Sequence, residues 1–542
     1  MKPLCAIAIS ACLIALTSCV PSLTKVTANQ ANEQLAAMPK KDWHYSKSAR
    51  SKIRKAYQSY TFRPEYAAAC FLTAAHDLEP HRSRSEWAYR AYQHALGMGT
   101  ELINKHQLWG QTIEHPELSI ALPKTVDCHE LGVHKIDELH FSGRFATPGM
   151  DPAIERKGPG APMLATTYAS AQSLDRHPFM SMAGYIQSAT ALADWHPVGE
   201  SQVRLTLELR NPKKSSQLAA NFTDPVAFYD MKTKSLITSG LQNVWRPNNG
   251  LSQMGLYNTA PIDPKKTPIV FIHGLAATPN LWLKPVHAMM RNPEFRKKYQ
   301  IYVFYYPTGF PISQNANHLK QELIKLQKAR LTYNNKPEKM VLVGHSMGGL
   351  LTSVVTRDFE GEFERLSRVS IEELKATEKV KETLQGLVRE APIDFIDKAI
   401  FLGTPHKGSP YASNWIGRVS SHFVRIPKSL LEIDPSSYKH DLSQFGQSLW
   451  DIDQNLDGIY SLELNHPVLL YIESRPKIDG VTYYSIIGDR GWGGDLEKSS
   501  DGLVPYTSSS INNDESECVV PSWHNLQKHP DAIAEVLKIL EL

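Results

Sequence analysis

The chain has 542 residues, more than one hydrophobic core usually supports, and length alone suggests about two to four domains. Charged residues make up 21% and hydrophobic ones 42%, with a formal net charge of +4, the profile of an ordinary soluble globular protein. Without a polybasic tract or a basic-aromatic stripe, nothing points to nucleic acid as a partner.

At the N-terminus, Lys2 precedes an apolar run from Leu4 to Leu16 and then small residues, which reads as a secretory signal peptide over residues 1–18, outside the fold. The run is shorter than the ~20 residues needed to span a bilayer. Its end, Leu16-Thr17-Ser18-Cys19, resembles the lipobox of bacterial lipoproteins, in which cleavage leaves the cysteine as a lipid-modified N-terminus. The resemblance implies lipid attachment at Cys19. Because Val20 follows, where an aspartate would signal inner-membrane retention, it also implies an outer-membrane lipoprotein facing the periplasm, with surface exposure left open. Plain signal cleavage and an uncleaved anchor are the alternatives. Cys70, Cys128 and Cys518 then remain, enough for one disulfide and one thiol, and the sequence does not choose the pair. Cys518, in an apolar strand, is expected to be buried.

Residues 19–42 are small, polar and aperiodic, a tether. Over 43–147 a helical accessory region is expected, with Pro64 to Asp77 and Ser85 to Ile103 carrying alanines and aromatics at three- and four-residue spacing. A β-rich accessory region is expected over 148–250, where Val203 to Leu209 alternates and Asn211-Pro212-Lys213-Lys214 turns the chain towards Gln217 to Phe228, giving a small antiparallel unit. His177 and His196 stand too far apart, and too far from any cysteine, to suggest a metal site. From residue 260 to 542, apolar strands at Ile269 to Ile272, Ile301 to Tyr305, Met340 to Val343, Ala399 to Leu402, Tyr483 to Ile487 and Cys518 to Val520 alternate with helical segments. That order predicts an α/β domain with a parallel sheet covered on both faces.

Within it, Met340 to Val343 lead into Gly344-His345-Ser346-Met347-Gly348, and Leu350, Leu351, Val354 and Val355 continue at helical spacing. A G-x-S-x-G between a strand and a helix is a nucleophile elbow, which pushes the serine hydroxyl out of a sharp turn. A hydroxyl is a poor nucleophile until an imidazole accepts its proton, and a carboxylate must hold that imidazole in the right tautomer. The expected chain order is serine, acid, histidine. His524, after the last strand and before the terminal helix, is the favoured base, with His529 as its rival; His406 is expected to shape the pocket. Asp501, in Ser500-Asp501-Gly502, is the favoured acid, with Asp489 as competitor and Asp495 behind it. The strand Pro268 to Ile272 ends in His273-Gly274-Leu275, so the backbone N–H groups of Leu275 and Met347 are the expected oxyanion donors. His273 is expected to be a structural hydrogen-bonder.

These features, with Tyr305-Tyr306-Pro307-Thr308-Gly309 and Gly403-Thr404-Pro405-His406-Lys407-Gly408-Ser409, make the chain resemble the α/β-hydrolase superfamily, and over most of its mature length a group of bacterial lipase- or esterase-like lipoproteins. The resemblance carries Ser346, Asp501 and His524 onto a catalytic triad and implies no metal or organic cofactor. Two insertions bear on substrate. Residues 359–397 read as a solvated helix packed on the core, with a moving cap as the alternative. Residues 412–467, with Trp415, Ile416, Phe423 and Leu430, suit a lid over an acyl-binding cleft. The expected function is hydrolysis of carboxylic esters, with lipid or acyl esters as the expected substrates, by a serine enzyme tethered to a membrane. An acyltransferase using the same acyl-enzyme is the nearest alternative, a peptidase or amidase shares the residues, and a non-catalytic envelope protein binding a partner through the accessory regions is the reading from another class.

Overall fold

Strand β10 (Met340–His345) is buried along its whole length, which requires cover on both faces. In a computed structural model, residues 24–25, 43–142, 145–146, 150, 152–233, 253–333, 339–374, 378, 381, 385, 392–411, 439–441, 443–444, 462–490, 494–511 and 514–542 are described. The chain divides into two units, one of residues 1–234 with 259–261, the other of 235–258 with 262–542.

In the first unit, α1 (Trp43–Ser59), α2 (Pro64–Leu78) and α3 (Glu86–Lys105) pack in succession. Pro64 opens α2, and the Ser85 side chain caps α3 by accepting from the Ala88 N–H at 3.2 Å. A six-stranded sheet follows, from β1 (Thr112–His115), β2 (Leu118–Ala121), β3 (Glu138–Phe141), β4 (Ala161–Thr167), β5 (Tyr185–Gly199) and β6 (Gln202–Arg210), in the order β1-β2-β6-β5-β4-β3. Four of its five pairings are antiparallel, and β2 runs parallel to β6.

Two expectations need correction here. The boundary between a helical region over 43–147 and a β-rich region over 148–250 does not divide the structure. Strands β1 to β3 fall before it, and β2 and β3 pair with strands after it, because the helices alone leave an apolar face that this sheet covers. The expected strand partner at Gln217 to Phe228 is instead a two-residue strand, Ala220–Asn221, followed by a helix over 224–233. The antiparallel neighbour of β6 lies upstream, in β5.

The second unit holds a seven-stranded sheet of β7 (Gly255–Tyr257), β8 (Thr267–Ile272), β9 (Tyr299–Tyr305), β10, β11 (Ile396–Leu402), β12 (Thr482–Asp489) and β13 (Ser516–Pro521), in the order β7-β9-β8-β10-β11-β12-β13. Six strands are parallel; β7 is an antiparallel edge. Helices cover the sheet: α4 (Ile312–Leu331) packs on α5 (Met347–Val355), α5 on α6 (Pro467–Ser474), and α7 (Pro530–Ile539) on a short helix at Leu283–Met289. This is an α/β fold with a mostly parallel sheet.

The three described cysteines are free thiols, Cys70 and Cys128 buried and Cys518 half-buried, so no disulfide joins them. The signal peptide, Cys19, most of the tether, most of 375–391 and most of the 412–467 insertion lie outside the described residues. Of the tether, only Thr24–Lys25 is described, paired antiparallel with Phe145–Ala146. Among the described residues no helix is long and apolar enough to cross a membrane.

Candidate active site

Between the end of β10 and the start of α5, Ser346 stands alone in the turn with φ 55° and ψ −125°. A side chain in that region costs about 1–3 kcal/mol and persists only where its surroundings hold it. Two bonds do so: the Ser346 N–H donates to the carbonyl of Leu402 and the Gly349 N–H to that of Ser346, each at 2.9 Å. The turn is so tight that a Cβ on Gly344 would lie 2.5 Å from the Gly349 Cα. Glycine is therefore required by space, and the serine hydroxyl is turned out of the strand.

His524 follows β13 and Asp501 follows β12, so both stand at the carboxyl ends of parallel strands. The His524 Nε2 lies 2.8 Å from Ser346 Oγ, and its Nδ1 lies 2.7 Å from Asp501 Oδ2. A carboxylate only accepts, so Nδ1 carries the proton, Nε2 is bare, and the serine hydroxyl donates to it. Asp501 is fully buried, and its Oδ1 accepts from the backbone N–H groups of Leu503 at 2.9 Å and Val504 at 2.7 Å. Those two donors fix the carboxylate plane. The pair needs room, and Gly403 provides it: a Cβ there would sit 3.1 Å from Asp501 Oδ2 and 3.4 Å from His524 Nδ1, at a φ of 55°.

The rival residues sit elsewhere. Asp489 ends β12 and stands opposite Pro521 in the ladder. Asp495 caps a short turn, accepting from the Glu497 N–H at 3.2 Å, and His529 caps α7, accepting from the Asp531 N–H at 3.3 Å. His406 is buried with its ring edge on Phe401, its Nδ1 3.6 Å from Glu473 Oε2. Burial, with Arg357 and Lys407 nearby, pushes its pKa well below the ordinary value, so it is neutral and takes no part in the serine contact.

The loop after β8 lies against Ser346, since a Cβ on Gly274 would be 2.9 Å from the Ser346 Cβ. Two residues of the Tyr305 to Gly309 stretch hold that loop. Tyr306 donates its hydroxyl to the His273 carbonyl at 2.6 Å, and Thr308 Oγ1 accepts from the N–H of Ala276 at 3.3 Å. Ala276 has a φ of 53°, so the turn bends sharply just beyond Leu275. The His273 ring stacks on Tyr306 with centroids 4.4 Å apart and contacts the Gly274 carbonyl through Nδ1 at 3.0 Å; burial lowers its pKa to about 4. Met347 is buried at the first position of α5, where helical N–H groups have no partner within the helix. Gly274 of the loop after β8 and Met347 at the start of α5 are thus both next to Ser346.

Four contributors went unread in the sequence. His345, the variable position of the elbow, reaches the His524 backbone; Tyr306 and Thr308 fasten the loop after β8; and Trp523, 54% exposed, stands beside His524 with the Arg490 guanidinium 5.0 Å from its ring. The only signal for any of these was their presence in motif stretches. Among the described residues no group of three or more histidines, cysteines or carboxylates is placed to hold a metal.

No family model and no curated protein matches the chain. Its structural neighbours are lipases and esterases. The chain is similar to Bacillus licheniformis lipase BlEst2 in propeptide form, at 17% identity and TM-score 0.31, over 51% of this chain and 50% of that one. It is similar to Staphylococcus hyicus lipase at 15% identity and TM-score 0.31, over 52% and 95%, and to phospholipase PlaB from Legionella pneumophila at 14% and 0.26, over 45% and 46%. The chain thus spans half the length of the propeptide-form lipase. Likenesses at this level carry no argument about chemistry; the distances within the site do.

Proposed function

We propose that the protein is a serine hydrolase of the α/β-hydrolase type that cleaves carboxylic esters, with lipid or acyl esters as the substrate class. The observation that carries the reading is the continuous chain of contacts from Ser346 Oγ through His524 to Asp501, with steps of 2.8 and 2.7 Å. In the proposed reaction Ser346 Oγ attacks the ester carbonyl while His524 Nε2 takes its proton. The negative oxygen is received by the N–H groups of Leu275 and Met347, each such donor supplying about 3 to 4 kcal/mol of transition-state stabilisation. His524 then gives the proton to the leaving alcohol as the C–O bond breaks. Water, deprotonated by the same nitrogen, attacks the acyl-enzyme, and the proton returns to Ser346 as the carboxylic acid leaves. Asp501 holds the Nδ1 side of the ring throughout and stabilises the imidazolium.

Labelling with a fluorophosphonate tests this directly. The wild type is expected to be labelled at one serine, and Ser346→Ala to remain unlabelled; labelling that survives the substitution sinks the reading. A series of p-nitrophenyl esters of rising chain length tests the lipid preference, for which activity should rise with chain length. We further propose a lipid anchor at Cys19, which directs the enzyme to the outer membrane facing the periplasm. Cys19→Ala should then move the protein from the membrane fraction to the soluble one.

A further inference from the structure

We propose that His345 is a positioning residue, clamping the backbone of the base to the elbow that carries the nucleophile. This rests on the serine-hydrolase reading above. His345 Nε2 lies 2.8 Å from the backbone carbonyl oxygen of His524, and the two rings are 5.0 Å apart. A carbonyl only accepts, so Nε2 carries the proton and donates it. The other nitrogen, Nδ1, is buried and has no hydrogen-bond partner among the described residues, so the ring's hydrogen bonding runs through Nε2, while Trp282 packs edge-on against it. Burial, with His524 nearby, lowers the His345 pKa to about 3, which keeps the ring neutral with a single N–H at any pH where the base works.

The topology explains why such a clamp matters. Ser346 follows β10 and His524 follows β13, and β11 and β12 lie between those strands in the sheet. Three strand spacings separate them, roughly 14 Å. A small change in sheet twist would therefore move the base relative to the nucleophile by more than a hydrogen bond tolerates. His345 is the covalent neighbour of Ser346, so its bond to the His524 carbonyl refers the base loop to the nucleophile directly and not through the intervening strands. The Asp501 contact orients the imidazole; the His345 contact sets where its backbone stands.

The test compares fluorophosphonate labelling rates and ester kinetics for wild type, His345→Leu, His345→Gln and His345→Asn. Gln carries its amide nitrogen as far from Cα as Nε2, whereas Asn stops one atom short. His345→Leu and His345→Asn are expected to lose about 10- to 100-fold in labelling rate and kcat, the scale of a misplaced catalytic group, with KM little changed. His345→Gln is expected to restore most of the rate. Wild-type rates in a folded His345→Leu overturn the proposal. If His345→Leu does not fold, the Gln and Asn variants decide: equal rates overturn the clamp, and a fast Gln with a slow Asn supports it. Wild-type protein that is not labelled at Ser346 would instead sink the hydrolase reading itself, so the two failures are distinguishable.

Discussion

Asp501 offers the sharpest residue-scale test, because its two oxygens have different partners. Oδ1 faces two backbone N–H groups, while Oδ2 faces His524 Nδ1. In Asp501→Asn the side-chain oxygen must stay with the backbone donors, which turns the amide NH2 towards His524. The imidazole then accepts at Nδ1, carries its proton on Nε2, and cannot take one from Ser346. Activity should fall by about 10³- to 10⁴-fold with the fold intact. Asp489→Asn should leave kcat close to wild type, and a large loss there with a small one at Asp501 would transfer the acid role. The contact among Ser346, His524 and Asp501 was legible in the sequence because each lies in a short stretch whose chemistry depends on local context. His345 was not, because the elbow pattern leaves its position open and its bond spans 179 residues.

At the level of elements, the loop after β8 lies against the elbow, and Tyr306 fastens that loop to the end of β9. Its hydroxyl satisfies the His273 carbonyl at 2.6 Å, and its ring supports the His273 imidazole, so the turn at Gly274 and Leu275 is set from β9. Tyr306→Phe keeps the ring and deletes that one bond. A buried carbonyl left without a donor costs about 1 to 3 kcal/mol, and the loop can relieve it only by shifting. The expected result is a lower midpoint in denaturant together with a fall in kcat, because the donor at Leu275 moves. A stability loss with unchanged kcat would show that the loop is held from elsewhere. The six parallel strands were legible as apolar runs between helical segments. The antiparallel edge strand β7 was not, since three residues, Gly255–Tyr257, are too few to show a period.

Across the whole molecule, legibility followed how local the determining forces are. The parallel sheet is fixed by runs that must be buried on both faces, while in the first unit β1 to β3 are four residues each and are recognised only by the strands they join. One property belongs to the fold and not to any single motif: His273, His345 and His406 are all buried neutral, with pKa values lowered to about 4, to about 3 and well below the ordinary value. In the unfolded chain each takes a proton near pH 6.5. Below that pH the unfolded state binds more protons than the folded one, so stability is fully present above about 6.5 and is lost as pH falls towards the folded values. Three such groups give a slope of about 4 kcal/mol per pH unit at most. The Glu473 carboxyl, pushed up by burial, pulls the other way, as does Asp224 in the first unit, so the decisive measurement is a difference between variants. Denaturant unfolding of wild type and His406→Gln from pH 7 to 5 should give a slope lower in the variant by about 1.4 kcal/mol per pH unit, the loss of one proton from the difference. An identical slope would mean that His406 takes up its proton inside the fold, where Glu473 Oε2, 3.6 Å from Nδ1, is the group placed to stabilise it.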